Sequence, residues 1–448
     1  MRHPDRRLRI WIGGALVVLI ACWQFFGAVD SRPMHRDEAR WIHRAVYIRE
    51  LLHPFSDYWN EQTWIEQGGT LDERYRLRAQ PPMGSYVMGL GFLLQGKLLP
   101  NIGFWNMDQD DAWNAEHGNE PSPDQITTGR RTSAAVSVLT VLAIYLVVTR
   151  LTNVVGGVVA GLMLAFNPLM IYLATFAGSD AVLGLTIALA AVAAYRLADR
   201  PTWLRTILLG LAIAAGGSTK LSPLGIVVPL GLLGLAGLTH RFIRHHAGDH
   251  VPPGPSLRLC LQLITIPAIA GFGFIASYPW LWRHPIANTR ALVEYRQWGM
   301  DIQGMLWQQV AVENRIDAFR RIGIKLGQEW TTLGRLGWSW LPDGLELAIA
   351  AAGLVLLLWL VIQRGFWSAT GLAAAVLASE ATITIYGLDV DWARYHLPIL
   401  LLSCSCIGIA TGSIWSIVTS LSRLHRRTAA EKPACSSPPD NYRDLPTA

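Results

Sequence analysis

Apolar residues gather into long runs along this chain, and most of the connections between them are short and polar. The runs at 10–28, 133–148, 154–175, 181–196, 204–217, 224–238, 259–277, 345–362, 368–386 and 397–420 predict about ten helices crossing a hydrocarbon layer roughly 30 Å thick. A helix suits that layer because it satisfies its own backbone polar groups. A further stretch, 82–99, starts beside Pro81-Pro82, is rich in glycine and is only marginally apolar.

The charges in the connections decide how that stretch is read. Arg2, Arg6, Arg7 and Arg9 precede the first run. Arg150, then Arg196, Arg200 and Arg205, then Arg241, Arg244 and Arg258, then Arg364, and finally Arg423, Arg426 and Arg427 fall on the same side if 82–99 does not cross. Under the positive-inside rule that side is cytoplasmic and holds both termini. Counting 82–99 as a span would invert every later loop, so it is expected to lie along the outer leaflet as an interfacial helix. The first run is expected to be a retained anchor, since it exceeds a signal core and Phe25-Phe26-Gly27-Ala28-Val29-Asp30 offers no clean small-x-small cleavage site.

The fold expected is thus an all-α polytopic protein of the plasma (inner) membrane. A cytoplasmic N-terminus covers 1–9 and the first span 10–28. An outer loop with interfacial helices follows at 29–129, spans two to seven at 130–277, an aromatic-rich outer loop at 278–344, spans eight to ten at 345–422 and a disordered cytoplasmic tail at 423–448.

Composition supports this class. Of the 448 residues, 51% are hydrophobic and 16% charged, with a mean hydropathy of +0.29, which excludes a soluble globule. The net charge of +6 follows from the cytoplasmic flanks and the arginine-rich outer loops, so no nucleic-acid partner is implied. Cys22, Cys260, Cys404 and Cys406 fall in apolar runs and Cys435 in the tail; the outer loops carry no cysteine, which argues against a disulfide framework there. Cys404 and Cys406, two apart on a helix, point about 200° apart and do not form a metal pair.

Chemistry is expected where the polar sequence is. In 34–52 the apolar residues Trp41, Ala45, Ile48 and Leu52 recur at helical spacing, with Arg40, Arg44 and Glu50 elsewhere around the wheel. Asp37 and Glu38 fall in the first turn, where free backbone N–H groups favour negative charge. The pair reads equally as favourable helix-terminus charge or as a carboxylate able to take a proton.

The order of features around the pair resembles a family. His35-Arg36-Asp37-Glu38-Ala39-Arg40-Trp41, followed by Gln80-Pro81-Pro82-Met83-Gly84, is similar to the first outer loop of the type C membrane glycosyltransferases, in their protein O-mannosyltransferase and aminoarabinose transferase branches. Gly129-Arg130-Arg131-Thr132-Ser133-Ala134 resembles the arginine-led start of the second span, and Ala177-Gly178-Ser179-Asp180 the acidic turn after the third. Gly210-Leu211-Ala212 leading to Ser218-Thr219-Lys220, and Trp392-Ala393-Arg394-Tyr395-His396-Leu397-Pro398, resemble a span ending in Thr-Lys and the Arg-Tyr start of a late span. The likeness departs at Gln80, where the family usually has His or Lys; a donor-side cation is then either missing or supplied by Arg76 or Arg78.

The resemblance implies transfer of a sugar from a polyprenyl-phosphate donor to an acceptor hydroxyl at the outer face, with inversion. The leaving phosphate needs cations or N–H donors rather than a general acid, whereas the acceptor hydroxyl needs a base. By resemblance Asp37 is that base and Glu38 orients the acceptor or a neighbouring arginine. Lys220, Arg394, Tyr395, Arg130 and Arg131 are candidates for the donor phosphate, and Asp180 for the acceptor or a cation. Lys220 also reads as a snorkelling residue, Arg394 as an ion-pair partner of Asp389 and Asp391, and Glu380, inside the ninth run, as either functional or paired. Glycolipid, glycan and protein all remain acceptors, and membrane lipids surround the chain. The chemistry requires no cofactor; a divalent metal is compatible with it, but no residue pattern points to one.

Other motifs carry less. Asp108-Gln109-Asp110 and Asp389-Val390-Asp391 match the Asp-x-Asp of soluble glycosyltransferases without a nucleotide-binding strand before them. Gly216-Gly217-Ser218-Thr219-Lys220 lacks the Gly-Lys-Ser/Thr ending of a phosphate loop. His245, His246, Asp249 and His250 sit in a Gly- and Pro-rich loop that needs only polar residues. Trp280, Trp282, Trp298, Trp307, Trp330, Trp338 and Trp340 read first as a headgroup belt and second as a cover over the donor. A transporter or flippase of a lipid-linked or polar solute, with Asp180, Lys220 and Glu380 along its path, is the alternative function.

Overall fold

The computed structural model describes residues 4–60, 80–247, 254–338 and 340–430. Arg2, Arg76, Arg78, Asp249, His250 and Cys435 lie outside the described residues. Within them the chain is helical, and its one β feature is an isolated antiparallel bridge between Ala311 and Val390.

Eight helices among the described residues are long and apolar enough to cross a membrane. The first, α1 (Pro4–Gly27), packs against α6 (Pro123–Leu151) and α7 (Val154–Phe166). Between α1 and α6 the chain folds into α2 (Arg36–His43), α3 (Tyr47–Glu50), α4 (Met83–Leu94) and α5 (Asp111–Glu116). The chain continues through α8 (Pro168–Ala174), α9 (Asp180–Asp199), α10 (Trp203–Gly217), α11 (Val227–Ala247) and α12 (Leu257–Ala276). The connection after α12 holds α13 (Pro285–Leu306), α14 (Arg315–Ile324) and α15 (Thr332–Arg335), and the last three helices are α16 (Leu345–Arg364), α17 (Ala369–Tyr386) and α18 (Leu397–Ala430). Helix α9 lies at the centre, touching α6, α10 and α17, while α18 packs along α7 and α16.

Two of the expected spans differ in form. The run 154–175 is broken by a 66° bend into α7 and α8. Asn167 sits at the bend: its side-chain oxygen accepts from the N–H groups of Leu169 (3.0 Å) and Met170 (3.3 Å), and Pro168 starts the new helix without a donor to leave unpaired. Counted as one span, the pair raises the number to nine. The run 204–217 forms α10, whose 15 residues rise only about 22 Å, less than the hydrocarbon thickness. It stops at Gly216-Gly217, where the Ser218 carbonyl accepts from the N–H of Met83 (2.7 Å) and ties the end of α10 to the start of α4. Length alone therefore carries eight or nine spans rather than ten.

Helix α4 is 12 residues long; one face packs on the protein, while Leu90, Leu93 and Leu94 on the other are exposed. Gly84, Ser85, Tyr86, Met88, Gly89, Gly91 and Phe92 are buried, against the turn 44–46 and α6. A Cβ on Gly89 would collide with the Ala45 carbonyl oxygen, and one on Gly91 with the Thr132 hydroxyl, so these glycines allow the close approach. The Tyr86 hydroxyl donates to the Ser277 carbonyl (3.0 Å), joining α4 to the end of α12 as well.

Candidate functional site

Helix α2 begins with a reciprocal cap. The His35 ring accepts from the Asp37 N–H (3.1 Å), and Glu38 accepts from the His35 N–H (2.9 Å). Residues 37 and 38 point about 100° apart around the helix, so the two carboxylates meet different surroundings.

Glu38 turns inward and is completely buried. Arg130 grips it through Nε (2.9 Å) and Nη2 (2.8 Å), and its remaining positions accept from the N–H groups of Ala177 (2.9 Å) and His35. Burial pushes the Glu38 carboxyl up, but the Arg130 guanidinium and the two backbone donors outweigh it and hold the group below its ordinary value. Arg130 spends its other N–H groups on the carbonyls of Val29, Arg32 and Pro33. All five of its donors are used, so no N–H remains for a donor phosphate, and Glu38 has no oxygen lone pair free for an acceptor. This pair fastens the connection between α1 and α6 to the bundle; removing one partner of such a buried pair typically costs about 3–5 kcal/mol. Arg131 shares an exposed helix face with Ala135 and Leu139 and does not join the site either. Of the two roles expected of Glu38, orienting a neighbouring arginine matches its contact with Arg130, whose donors are spent within the fold.

Asp37 stays half-buried and meets a residue 357 positions away: Arg394 Nη1 donates to its Oδ2 at 2.8 Å. Burial pushes the Asp37 carboxyl up, yet Arg394, helped by His35 and Arg40, outweighs that and holds it below its ordinary value of 3.8. Arg394 pairs with Asp37 rather than with Asp389 or Asp391. Lys220 Nζ lies 2.5 Å from Asp180 Oδ1 and 5.2 Å from the centre of the Tyr395 ring, while the Arg394 guanidinium lies 5.7 Å from that same ring. Asp37, Asp180, Lys220, Arg394 and Tyr395 thus come together from four separate segments.

Arg296, a residue no sequence motif singles out, completes the group. It reaches from α13 to donate to the Tyr395 hydroxyl at 2.8 Å. Glu380 is fully buried nearby and accepts from the Ser222 hydroxyl (2.7 Å), just after Lys220 in the chain. Gln80 holds the buried Arg44 through its side-chain oxygen (2.6 Å) and carbonyl (2.9 Å), a position where a cation would repel that guanidinium.

The Asp-x-Asp segments are occupied otherwise. Asp110 caps α5 by accepting from the Trp113 N–H (2.8 Å), Asp389 pairs with Arg315 (3.1 Å), and Asp391 pairs with His396 (2.6 Å). Among the described residues, no three His, Cys, Asp or Glu side chains gather where they would hold a metal. The aromatic residues of 278–344 divide: Tyr278 and Trp280 are buried, whereas Trp298, Trp307, Trp338 and Trp340 are exposed.

Residues 119–267 match the family described as dolichyl-phosphate-mannose-protein mannosyltransferase. The match covers a third of the chain and is a likeness to that family over those residues. The matched third contains Arg130, Asp180 and Lys220; Asp37, Arg296 and Arg394 lie outside it. No curated protein matches the chain. Among solved structures it is similar to the oligosaccharyltransferase AglB of Archaeoglobus fulgidus, in complex with an inhibitory peptide and a dolichol-phosphate, at 13% identity and a TM-score of 0.47, over 96% of this chain and 52% of that one. ArnT of Cupriavidus metallidurans, bound to undecaprenyl phosphate, is similar at 15% identity and a TM-score of 0.48, over 89% of this chain and 60% of that one. The chain therefore spans little more than half the length of these proteins.

Proposed function

We propose that this protein transfers a sugar from a polyprenyl-phosphate-linked donor to an acceptor hydroxyl, with inversion, at the outer face of the plasma (inner) membrane. The observation that carries this reading is the pairing of Asp37 with Arg394 beside Lys220, Asp180 and Tyr395. It puts a carboxylate able to take a proton next to cations able to take a phosphate. The family match over 119–267 supports the reaction class.

In the proposed step the acceptor oxygen attacks the anomeric carbon and its proton passes to Asp37. The bond from that carbon to the phosphate oxygen breaks, and its electron pair stays on the phosphate, where Lys220, Arg394 and the Tyr395 hydroxyl stabilise it. Arg394 links the two halves. While it holds Asp37 it weakens that carboxylate as a base; an arriving phosphate competes for the guanidinium, which suits paired oxygens, and frees Asp37 to accept the proton. Both termini would lie in the cytoplasm, as the arginine-rich connections favour. Glycolipid, glycan and protein acceptors all fit this chemistry.

The test is Asp37→Asn in membranes supplied with polyprenyl-phosphate-linked sugar. Transfer is expected to be abolished while the protein still assembles; transfer at the unaltered rate would remove Asp37 as the base.

A further inference from the structure

We propose that Asp391 and His396 are positioning residues that hold the Arg394–Tyr395 turn in its phosphate-facing geometry. This rests on the reading of Arg394 and Tyr395 as phosphate ligands. Both lie in one turn of 3-10 helix, Ala393–His396, a form whose backbone hydrogen bonds are poorly aligned. Side-chain contacts at its ends must then fix it, and His396 supplies one.

The His396 ring is completely buried, edge-on to Trp330 with centroids 5.5 Å apart, and its Nε2 lies 2.6 Å from Asp391 Oδ1. Asp391 is itself nearly buried and is held from the other side. Its N–H donates to the Val310 carbonyl (2.7 Å), and its Oδ2 lies 3.5 Å from Arg321 Nη1. Arg321, on α14, also donates to Asp317 (2.8 Å) and to the carbonyls of Gln309 (3.1 Å) and Ala311 (2.8 Å). A continuous tether thus runs from α14 through Asp391 and His396 into the turn, which then presents Arg394 to Asp37 and Tyr395 to Arg296.

His396 Nδ1 is buried with no hydrogen-bond partner. The tautomer that fits carries its proton on Nε2 and donates to Asp391, leaving only an acceptor unpaired. An apolar ring would fill the same space against Trp330 without burying an unpaired polar atom. The bond to Asp391 is therefore what distinguishes histidine here from a packing residue. It also gives the Asp389-Val390-Asp391 segment a purpose other than metal binding.

Binding of undecaprenyl phosphate to the full chain in detergent micelles tests this, with the melting temperature measured in parallel. His396→Phe keeps the ring against Trp330 and removes the bond; Asp391→Ala removes its acceptor, and Asp391→Asn keeps an acceptor oxygen. His396→Phe and Asp391→Ala are expected to weaken binding about tenfold, with Asp391→Asn, which can keep the acceptor for His396 but not the one for Arg321, falling between them and the unaltered protein. Unaltered affinity in His396→Phe and Asp391→Ala, or equal loss in Asp391→Asn and Asp391→Ala, would overturn the inference. If His396→Phe does not assemble, the Asp391 pair of variants decides. Arg394→Gln is the control: loss of binding there, with none in His396→Phe, defeats only the positioning role, whereas unaltered binding in Arg394→Gln defeats the phosphate reading and this inference with it.

Discussion

At the scale of single residues, the site turns on how two neighbouring carboxylates are divided. Asp37 is held below its ordinary value of 3.8 because Arg394 outweighs burial, so its ionised form persists at neutral pH and is lost only as pH falls through that lowered value. The stability contributed by the Asp37–Arg394 pair follows the same course, present above the ordinary carboxylate range and lost on acidification. In Arg394→Gln, burial acts without its main counterweight and the Asp37 titration is expected to move upward. An infrared titration of the carboxylate band, taken as the difference from Asp37→Asn, reads this directly; an unmoved titration would show that Arg394 does not govern Asp37. The sequence already pointed to Asp37, Asp180, Lys220, Arg394 and Tyr395, whose motifs stand in a family order. Glu38 was harder to read, although its spacing to Ile42 and Ala45 at i+4 and i+7 marks it as inward-facing, and an inward carboxylate calls for an inward arginine such as Arg130. Arg296 lies in an amphipathic helix with no motif around it, and nothing local announces its bond to Tyr395.

At the scale of elements, hydrophobic runs locate the long helices because a span needs little besides continuous apolar residues. The exceptions are places where particular side chains overrule that rule. Asn167 caps a new helix within an apolar run, and Gly216-Gly217 ends α10 early so that Ser218 can meet Met83. Glycines let one face of α4 pack closely on the turn 44–46 and on α6. Gly89→Ala places a Cβ against the Ala45 carbonyl oxygen and is expected to destabilise the protein by about 1–3 kcal/mol through overpacking. A thermal melt in detergent measures it, and an unaltered transition would mean that the approach of α4 does not matter to stability.

At the scale of the whole molecule, the arginine distribution predicts that the polar regions holding α2 and α13 face outward and that the short basic connections face the cytoplasm. A cysteine placed at the exposed Glu294, in a background without the native cysteines, is expected to react with a membrane-impermeant maleimide added to intact cells. One placed at the exposed Arg200 is expected to react only after the cells are opened. The reverse pattern would invert the proposed orientation. The site itself draws its first carboxylate from α2 and its matching guanidinium from the turn before α18. Helices inserted in order of synthesis would bring Glu38 and Arg130 together early, but Asp37 must wait for nearly the whole chain to be made. A nascent polypeptide stopped before its final helix would accordingly lie in the bilayer without the Asp37–Arg394 contact on which the proposed transfer rests, so that the last stretch of translation supplies a partner the first stretch has been waiting for.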